Sequence, residues 1–374
     1  MKIGFIDLSE IKFTARTPFE EPLGGMQSAL VYLSCELVKQ GHEVVIINRS
    51  ESNELFQGVG TIGLSEGLNA EFLNSCDCLV SIYCDARLLR ECGYAKKLIL
   101  WTGHNENEPS VQKLMHQDEV SKWDGFVFKT RWQQNQFLRK FRLDPAVCTF
   151  IGNAVAPFFI NQNYNKKYFF NEKRHPVFYY SSTPFRGLEI LLRAFPLIYQ
   201  RFPESKLKIF SSMKTYQAES DNKYFNNLYS VCRQMQGVEY YGSLPQKALS
   251  AELHKVDCLA FPSSYAETSC ITLMEAMVSA CIPIVNDLGA LRETSSGYAA
   301  LFDLSQLANS RDLPGHYANF LLNEVELAIE CPVKYEDKLR QQADFARKEY
   351  NWTRRASQWI CFLDGLTKTA PGYH

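Results

Sequence analysis

At 374 residues the chain is longer than one hydrophobic core comfortably serves, so two domains are expected. With 46% hydrophobic and 22% charged residues it has the composition of an ordinary globular protein, which excludes a disordered or membrane-embedded chain. Lys plus Arg at 40 against Asp plus Glu at 41 leave a formal net charge of -1, so no overall field draws nucleic acid or an anionic membrane, and any polyanion site must be local.

In chain order, "MKIGFIDLSE" has a single Lys and too short an apolar run for a signal peptide. No run of about eighteen apolar residues follows, so a cytoplasmic protein is expected. "KIGFIDL", "HEVVIIN", "CDCLVSIY", "KKLILWT", "WDGFVFK" and "VCTFIG" read as buried strands. Between the first two, Met26, Leu30, Leu33 and Leu37 recur at helical spacing and Gly41 stands where that helix would end. Strand, helix, strand in this rhythm predicts a parallel sheet covered on both faces. "NAVAPFFINQNYNKKYFFNEKRHP" breaks the rhythm and reads as a linker. The pattern then restarts with "VFYYSS", "KLKIFSS", "VEYYGS", "DCLAFPSS" and "CIPIVND", and the tail reads as two helices that meet near Asn351. Two doubly wound parallel-sheet domains in tandem place ligands in a cleft, in the loops that follow strands.

Several of those loops carry residues fit for chemistry. Gly24 and Gly25 precede the first helix, either as an ordinary turn or as a place where backbone approaches a ligand and free N-H groups meet an anion. His104 follows another strand, as a plain polar residue or as a group that hydrogen-bonds a sugar hydroxyl or assists proton transfer. Arg186, with Gly187, stands at a strand-to-helix junction, where a guanidinium suits phosphate and a surface arginine is the plain alternative. "SSYAETSCITLMEAM" places Glu267 and Glu275 around a helix start at Ser269 to Ile271. Were all eight steps helical, the two carboxylates would lie about 12 Å apart along the axis, with the N-H groups of Ser269, Cys270 and Ile271 between them facing a diphosphate. A solvated helix explains the same spacing, but Glu275 sits between Met274 and Ala276 in an apolar stretch, where an unpaired charge is costly. "FVFKTRWQQNQFLRKFR" interleaves Lys129, Arg131, Arg139, Lys140 and Arg142 with Trp132, Phe137 and Phe141, and reads as a solvated face over a packed one, or as a face for anionic lipid. The twelve cysteines are scattered; Cys76 and Cys78 come nearest to a metal pair and read better as structural thiols, and no Asp-x-Asp follows a strand.

Together these residues resemble the retaining glycosyltransferase family 4, over nearly the whole chain. "GGMQSALVYLSCELVKQGHEVVII" is similar to the family's glycine loop and first helix, "NAVAPFF" to its "NGVD" segment and "RGLEILLRAF" to its "KGLDLLLEAF". "VEYYGSLPQKALSAELHKVDCLAFPSSYAETSCITLMEAM" is similar to its nucleotide-sugar region, with the Glu-x7-Glu motif. The resemblance implies the GT-B fold, two facing Rossmann-like doubly wound domains with an interdomain cleft. Residues 1–154 would form the acceptor domain, 155–175 a linker and 176–351 the donor domain, with a C-terminal helix over 352–374 packing back on the first. It implies a metal-independent transferase moving a sugar from a nucleoside-diphosphate sugar, UDP- or GDP-linked, to a glycan, lipid-linked or other hydroxyl acceptor, with contact at the inner membrane face as an accompanying expectation.

Carried over by position, the resemblance assigns Glu275 to the ribose hydroxyls and Glu267 to the donor sugar. Ser269, Cys270 and Ile271 would offer backbone to sugar and phosphates, His104 would touch the donor sugar, and Gly25 the diphosphate or acceptor. Arg186 stands where the family has Lys. An Arg that the family carries a few residues earlier is here Ser181 or Ser182, so Lys214 is the candidate replacement, and the usual Gly of "ETFG" is Cys270. Two rival readings remain: a sugar-nucleotide-binding protein with weak or no transfer, suggested by those two departures, and an epimerase or phosphorylase on the same fold. A nucleic-acid glycosyltransferase is disfavoured by the neutral charge.

Overall fold

The computed structural model describes residues 1–161, 166–217, 222–304 and 312–368. The chain folds into two parallel-sheet α/β units, the fold class that the alternation of strand and helix patterns predicts. One unit comprises Met1–Pro18, Gly24–Ala156 and the chain from Asn351 on; the other comprises Phe19–Leu23 and Pro157–Tyr350.

Among the described residues the first unit holds eight strands: β1 (Lys2–Ile6), β2 (Glu43–Asn48), β3 (Glu54–Phe56), β4 (Val59–Gly63), β5 (Cys78–Ser81), β6 (Lys97–Trp101), β7 (Gly125–Phe128) and β8 (Cys148–Phe150). Their order is β3-β4-β2-β1-β5-β6-β7-β8, parallel except for the β3–β4 hairpin. The central strands are short apolar runs buried on both faces, as a sheet covered by helices requires. Helix Gly25–Lys39 buries Leu30, Leu33 and Leu37 and stops before Gly41, whose φ of +88° suits the position after a helix end. The β3–β4 hairpin is absent from the predicted strands. It lies at the sheet's edge, β3 has three residues, and glycines bracket the alternation in "VGTIG". Helix Trp352–Lys368 packs Trp359 edge-on to Trp101, with ring centroids 5.2 Å apart, so the distal end of the chain completes the first core. Of the helix expected over 352–374, residues 369–374 lie outside the described residues.

Among the described residues the second unit holds six parallel strands: β9 (Val177–Ser181), β10 (Lys206–Phe210), β11 (Val238–Tyr240), β12 (Cys258–Phe261), β13 (Ile282–Asn286) and β14 (Ala300–Phe302). Their order is β11-β10-β9-β12-β13-β14. The chain walks from β9 to β11 in one direction and resumes at β12 on the other side of β9. That reversal puts the switch point, where such sheets bind ligands, between β9 and β12. In the first unit the same reversal falls between β1 and β5. β14, three residues long, escaped the sequence pattern. In the predicted linker, Phe159 and Phe169 are buried in one-turn helices of the second unit, while residues 162–165 lie outside the described residues.

All twelve cysteines are free, with Cys76 and Cys78 buried. Among the described residues no helix is long and apolar enough to cross a membrane.

Candidate functional site

The loops after β9 and β12 flank the switch point of the second unit, and both carry predicted site residues. The β9 loop ends in Arg186 and Gly187; the β12 loop runs through Glu267 to the helix Ile271–Val278. Gly187 has φ +102°, and a Cβ there would lie 2.1 Å from the carbonyl oxygen of Pro262, so only glycine lets the two loops close on each other. Gly289, at φ +65°, does the same for Glu267: a Cβ there would lie 2.6 Å from the Glu267 nitrogen, and Ala290 N-H donates to the Glu267 carbonyl at 2.7 Å.

Across this junction Arg186 Nη1 donates to Glu267 Oε2 in a direct ion pair. Two residues singled out separately in the sequence are therefore partners. The guanidinium also lies 4.5 Å from the centre of the Tyr265 ring, a cation–π contact the sequence reading did not include. Desolvation pulls the Arg186 pKa down, but the Glu267 carboxylate together with Tyr216 and Tyr265 outweighs it and holds the pKa above its ordinary value. Glu267 is 3% exposed, and its Oε1 has no hydrogen-bond partner among the described residues. The pair thus presents a fixed cation and a carboxylate oxygen ready to accept from a hydroxyl.

Glu275 is 2% exposed, and its Oε1 likewise has no partner among the described residues. Burial pushes its carboxyl up to about 8. Leu273, Met274 and Met277 of the same helix are buried as well, as the apolar pattern predicts. The helix starts at Ile271, within the expected range of Ser269 to Ile271, with Cys270 as its cap residue and Glu267 in the loop, so the eight steps between the glutamates are not all helical. The N-H groups without an intrahelical acceptor are accordingly those of Ile271, Thr272 and Leu273, because Met274 N-H already bonds the Cys270 carbonyl. Of the predicted trio only Ile271 is in the helix. Ser269 is buried with an unpartnered Oγ among the described residues, and Cys270 is a buried thiol whose pKa burial raises. Lys214, after neighbouring β10, is exposed and forms no ion pair among the described residues. It is not joined to the Arg186–Glu267 pair.

In the first unit, Gly25 is exposed and begins its helix, whose Gly24 cap offers no side-chain hydrogen bond. His104 follows β6 and faces Glu108 through Nδ1 at 2.7 Å, and Gln133 Nε2 donates to the His104 carbonyl at 2.7 Å. With Nδ1 on a carboxylate, Nε2 is the nitrogen available to a ligand. Glu108 was missed in the sequence, although its spacing of four from His104 was visible. The basic helix Arg131–Lys140 buries Phe137 in the core, and Lys140 Nζ donates to the Glu106 carbonyl at 2.7 Å. Lys129, taken with that surface pattern, is instead buried.

Among the described residues no three His, Cys, Asp or Glu side chains converge as metal ligands would.

Residues 161–302 match the model of a family described as Glycosyl transferases group 1. No curated protein sequence matches the chain. Among solved structures, it is similar to sucrose-phosphate synthase from Thermosynechococcus elongatus, with 14% identity, 99% of this chain and 100% of that chain covered, and a TM-score of 0.71. It is similar to a glycosyltransferase from Rickettsia africae at 11% identity, with 99% of each chain covered and a TM-score of 0.72. It is also similar to HepE from Anabaena in complex with UDP-glucose, at 14% identity, with 98% and 100% covered and a TM-score of 0.67. The fold and the matched segment are those of a glycosyltransferase.

Proposed function

We propose that this chain is a retaining, metal-independent glycosyltransferase that moves a sugar from a nucleoside-diphosphate sugar to a hydroxyl of a glycan or lipid-linked acceptor. The observation that carries the reading is Glu275: a carboxyl buried in the second turn of the helix that follows β12, beside a switch point, with an oxygen that no described residue satisfies. Vicinal ribose hydroxyls are donors of the kind such an oxygen lacks. The bound UDP-glucose of the Anabaena structure supports a uridine-linked donor, with a guanosine-linked one the alternative.

In this reading Arg186 and the N-H groups of Ile271–Leu273 neutralise the diphosphate as it leaves, the role a metal ion takes elsewhere. Lys214 can add charge if its exposed side chain reaches the phosphates. Glu267, held by Arg186, accepts from hydroxyls of the donor sugar rather than attacking its anomeric carbon. His104, oriented by Glu108, hydrogen-bonds the sugar or the acceptor through Nε2, and Gly25 lets backbone approach the diphosphate or acceptor. Retention follows if the acceptor oxygen bonds to the anomeric carbon on the face the diphosphate leaves, and the departing phosphate oxygen takes the acceptor's proton. We place this activity in the cytoplasm with contact at the inner membrane face, a placement checked by sedimentation with anionic vesicles.

The test is calorimetric titration of UDP and GDP into wild type and Glu275→Gln. Titrated above pH 8, where the Glu275 carboxyl is ionised, the substitution is expected to weaken the preferred nucleotide about tenfold or more, as loss of charge-assisted bonds to two hydroxyls should. Unchanged affinity removes the ribose assignment.

A second reading has one observation in its favour. Arg186 is already neutralised by Glu267, which suits a protein that binds a sugar nucleotide without transferring it. Donor binding by calorimetry with no turnover by mass spectrometry, on any glycan or lipid-linked acceptor, would favour that reading.

A further inference from the structure

Lys129 directly follows β7, at the same carboxyl edge of the first sheet as the His104 loop. Lysines are almost never fully buried unless paired. This one is 2% exposed, and its Nζ has no hydrogen-bond partner among the described residues. The amine lies 3.4 Å from the centre of the Trp101 ring, and desolvation lowers its pKa well below the ordinary lysine value. Attraction to an indole face offsets only part of the cost of burying an ammonium. A methionine would fill the same space without that cost.

Its neighbours are the other ligand-side elements of the unit. The point where a Cβ at Gly103 would stand is 4.0 Å from Lys129 Cε and 3.1 Å from the sulfur of Met26. Met26 is the second residue of the helix Gly25–Lys39, which has no side-chain cap. Gln133 ties the backbone together below: its Oε1 accepts from Lys129 N-H at 2.7 Å and its Nε2 donates to the His104 carbonyl at 2.7 Å. The backbone at Lys129 is thereby fixed, so any movement of the ammonium must come from its four-carbon stem.

We propose that Lys129 recognises a phosphoryl group on the acceptor, meeting it at the uncapped start of the Gly25–Lys39 helix when the ammonium leaves the Trp101 ring. An ammonium and free helix N-H groups are complementary to the same dianion. The burial of Nζ admits a terminal phosphoryl group, as on a sugar phosphate, and not a bilayer surface. This inference rests on the reading of the first unit as the acceptor side.

The experiment is titration of inorganic phosphate into the full chain held in saturating UDP, so that the donor's phosphate contacts are already filled, followed by calorimetry and tryptophan emission. Wild type is expected to bind phosphate saturably with a change in emission as the ammonium leaves Trp101. Lys129→Met is expected to bind it about tenfold more weakly or not at all, with UDP affinity unchanged and a raised Tm. Lys129→Arg should keep measurable phosphate binding. Wild-type affinity in Lys129→Met would make Lys129 a packing residue and overturn the proposal, as would absence of phosphate binding to wild type. Loss of phosphate binding in Arg186→Gln but not in Lys129→Met would assign the phosphate to the second unit and overturn it too. Failure to bind UDP refutes the donor reading alone, because the phosphate titration can be run without it.

Discussion

Glu275 gives the second unit a stability that depends on pH, and its sign follows from the direction of the shift. Its carboxyl is held at about 8 in the folded chain, above its ordinary value near 4.5. The folded state therefore keeps a proton that the unfolded state has released, and stability falls as pH rises from about 4.5 to about 8. Below that window the contribution is complete. Glu275→Gln should gain on wild type by about 4 kcal/mol at pH 8 and by under about 1 kcal/mol at pH 5, since each pKa unit is worth about 1.4 kcal/mol. Urea unfolding at the two pH values measures it; equal differences at both would place the proton elsewhere. Arg186 and Glu267 form the second residue-scale case. Arg186→Met leaves a buried carboxylate without its cation and should cost about 3–5 kcal/mol, whereas Arg186→Met with Glu267→Leu should recover most of it. A double-mutant cycle by urea unfolding reads the coupling directly, and additive losses would mean that the pair is not a unit.

At the scale of elements, the site is built by two loops that touch only because glycines stand where they meet. Gly187→Ala asks a residue with a side chain to hold φ +102° with its Cβ 2.1 Å from the Pro262 carbonyl oxygen. The loops after β9 and β12 must separate to admit it. A destabilisation of about 2–4 kcal/mol is expected, together with weakened donor binding, because Arg186 is the neighbouring residue and Glu267 lies on the other loop. Thermal unfolding and UDP titration check both halves of the statement. A variant with lowered Tm but intact UDP affinity would show that the ligand itself holds the loops in place.

At the scale of the molecule, the chain returns to its first unit at the end. Trp359 is buried against Trp101 and Phe5, and Arg355 Nε donates to the Asn153 carbonyl at 3.1 Å. The first core is therefore incomplete until residues beyond Asn351 exist. Trp359→Ala should cost about 3–5 kcal/mol by leaving a cavity between helix and sheet. Because Trp359 belongs to the first unit and Glu275 to the second, that loss should leave UDP affinity near the wild-type value. Calorimetric unfolding with and without UDP separates the two: the nucleotide should stabilise the second unit's transition by about 2.7 kcal/mol at a hundredfold excess over Kd in both proteins. A loss of UDP stabilisation in Trp359→Ala would mean that the units do not unfold separately.

The sequence by itself determined the two-sheet α/β class, most strands, and the loops that bear His104, Arg186, Glu267 and Glu275. These are local matters: strand and helix periods are written over five to fifteen neighbouring residues, and a ligand loop follows each strand's carboxyl end. The short edge strands β3 and β14 were not legible, since three residues carry no period. The start of the Ile271–Val278 helix was placed only to within two residues, because the apolar stripe does not distinguish its first turn from the loop before it. What only the tertiary structure decided is which charges are paired and which are buried. Arg186 and Glu267 are 81 residues apart and meet because the strand order reverses between β9 and β12. Lys129 reads as one of a row of surface cations and is buried because Trp101, Gly103 and Met26 close over it. Burial is set by neighbours brought in from elsewhere in the chain, and no window along the sequence contains them.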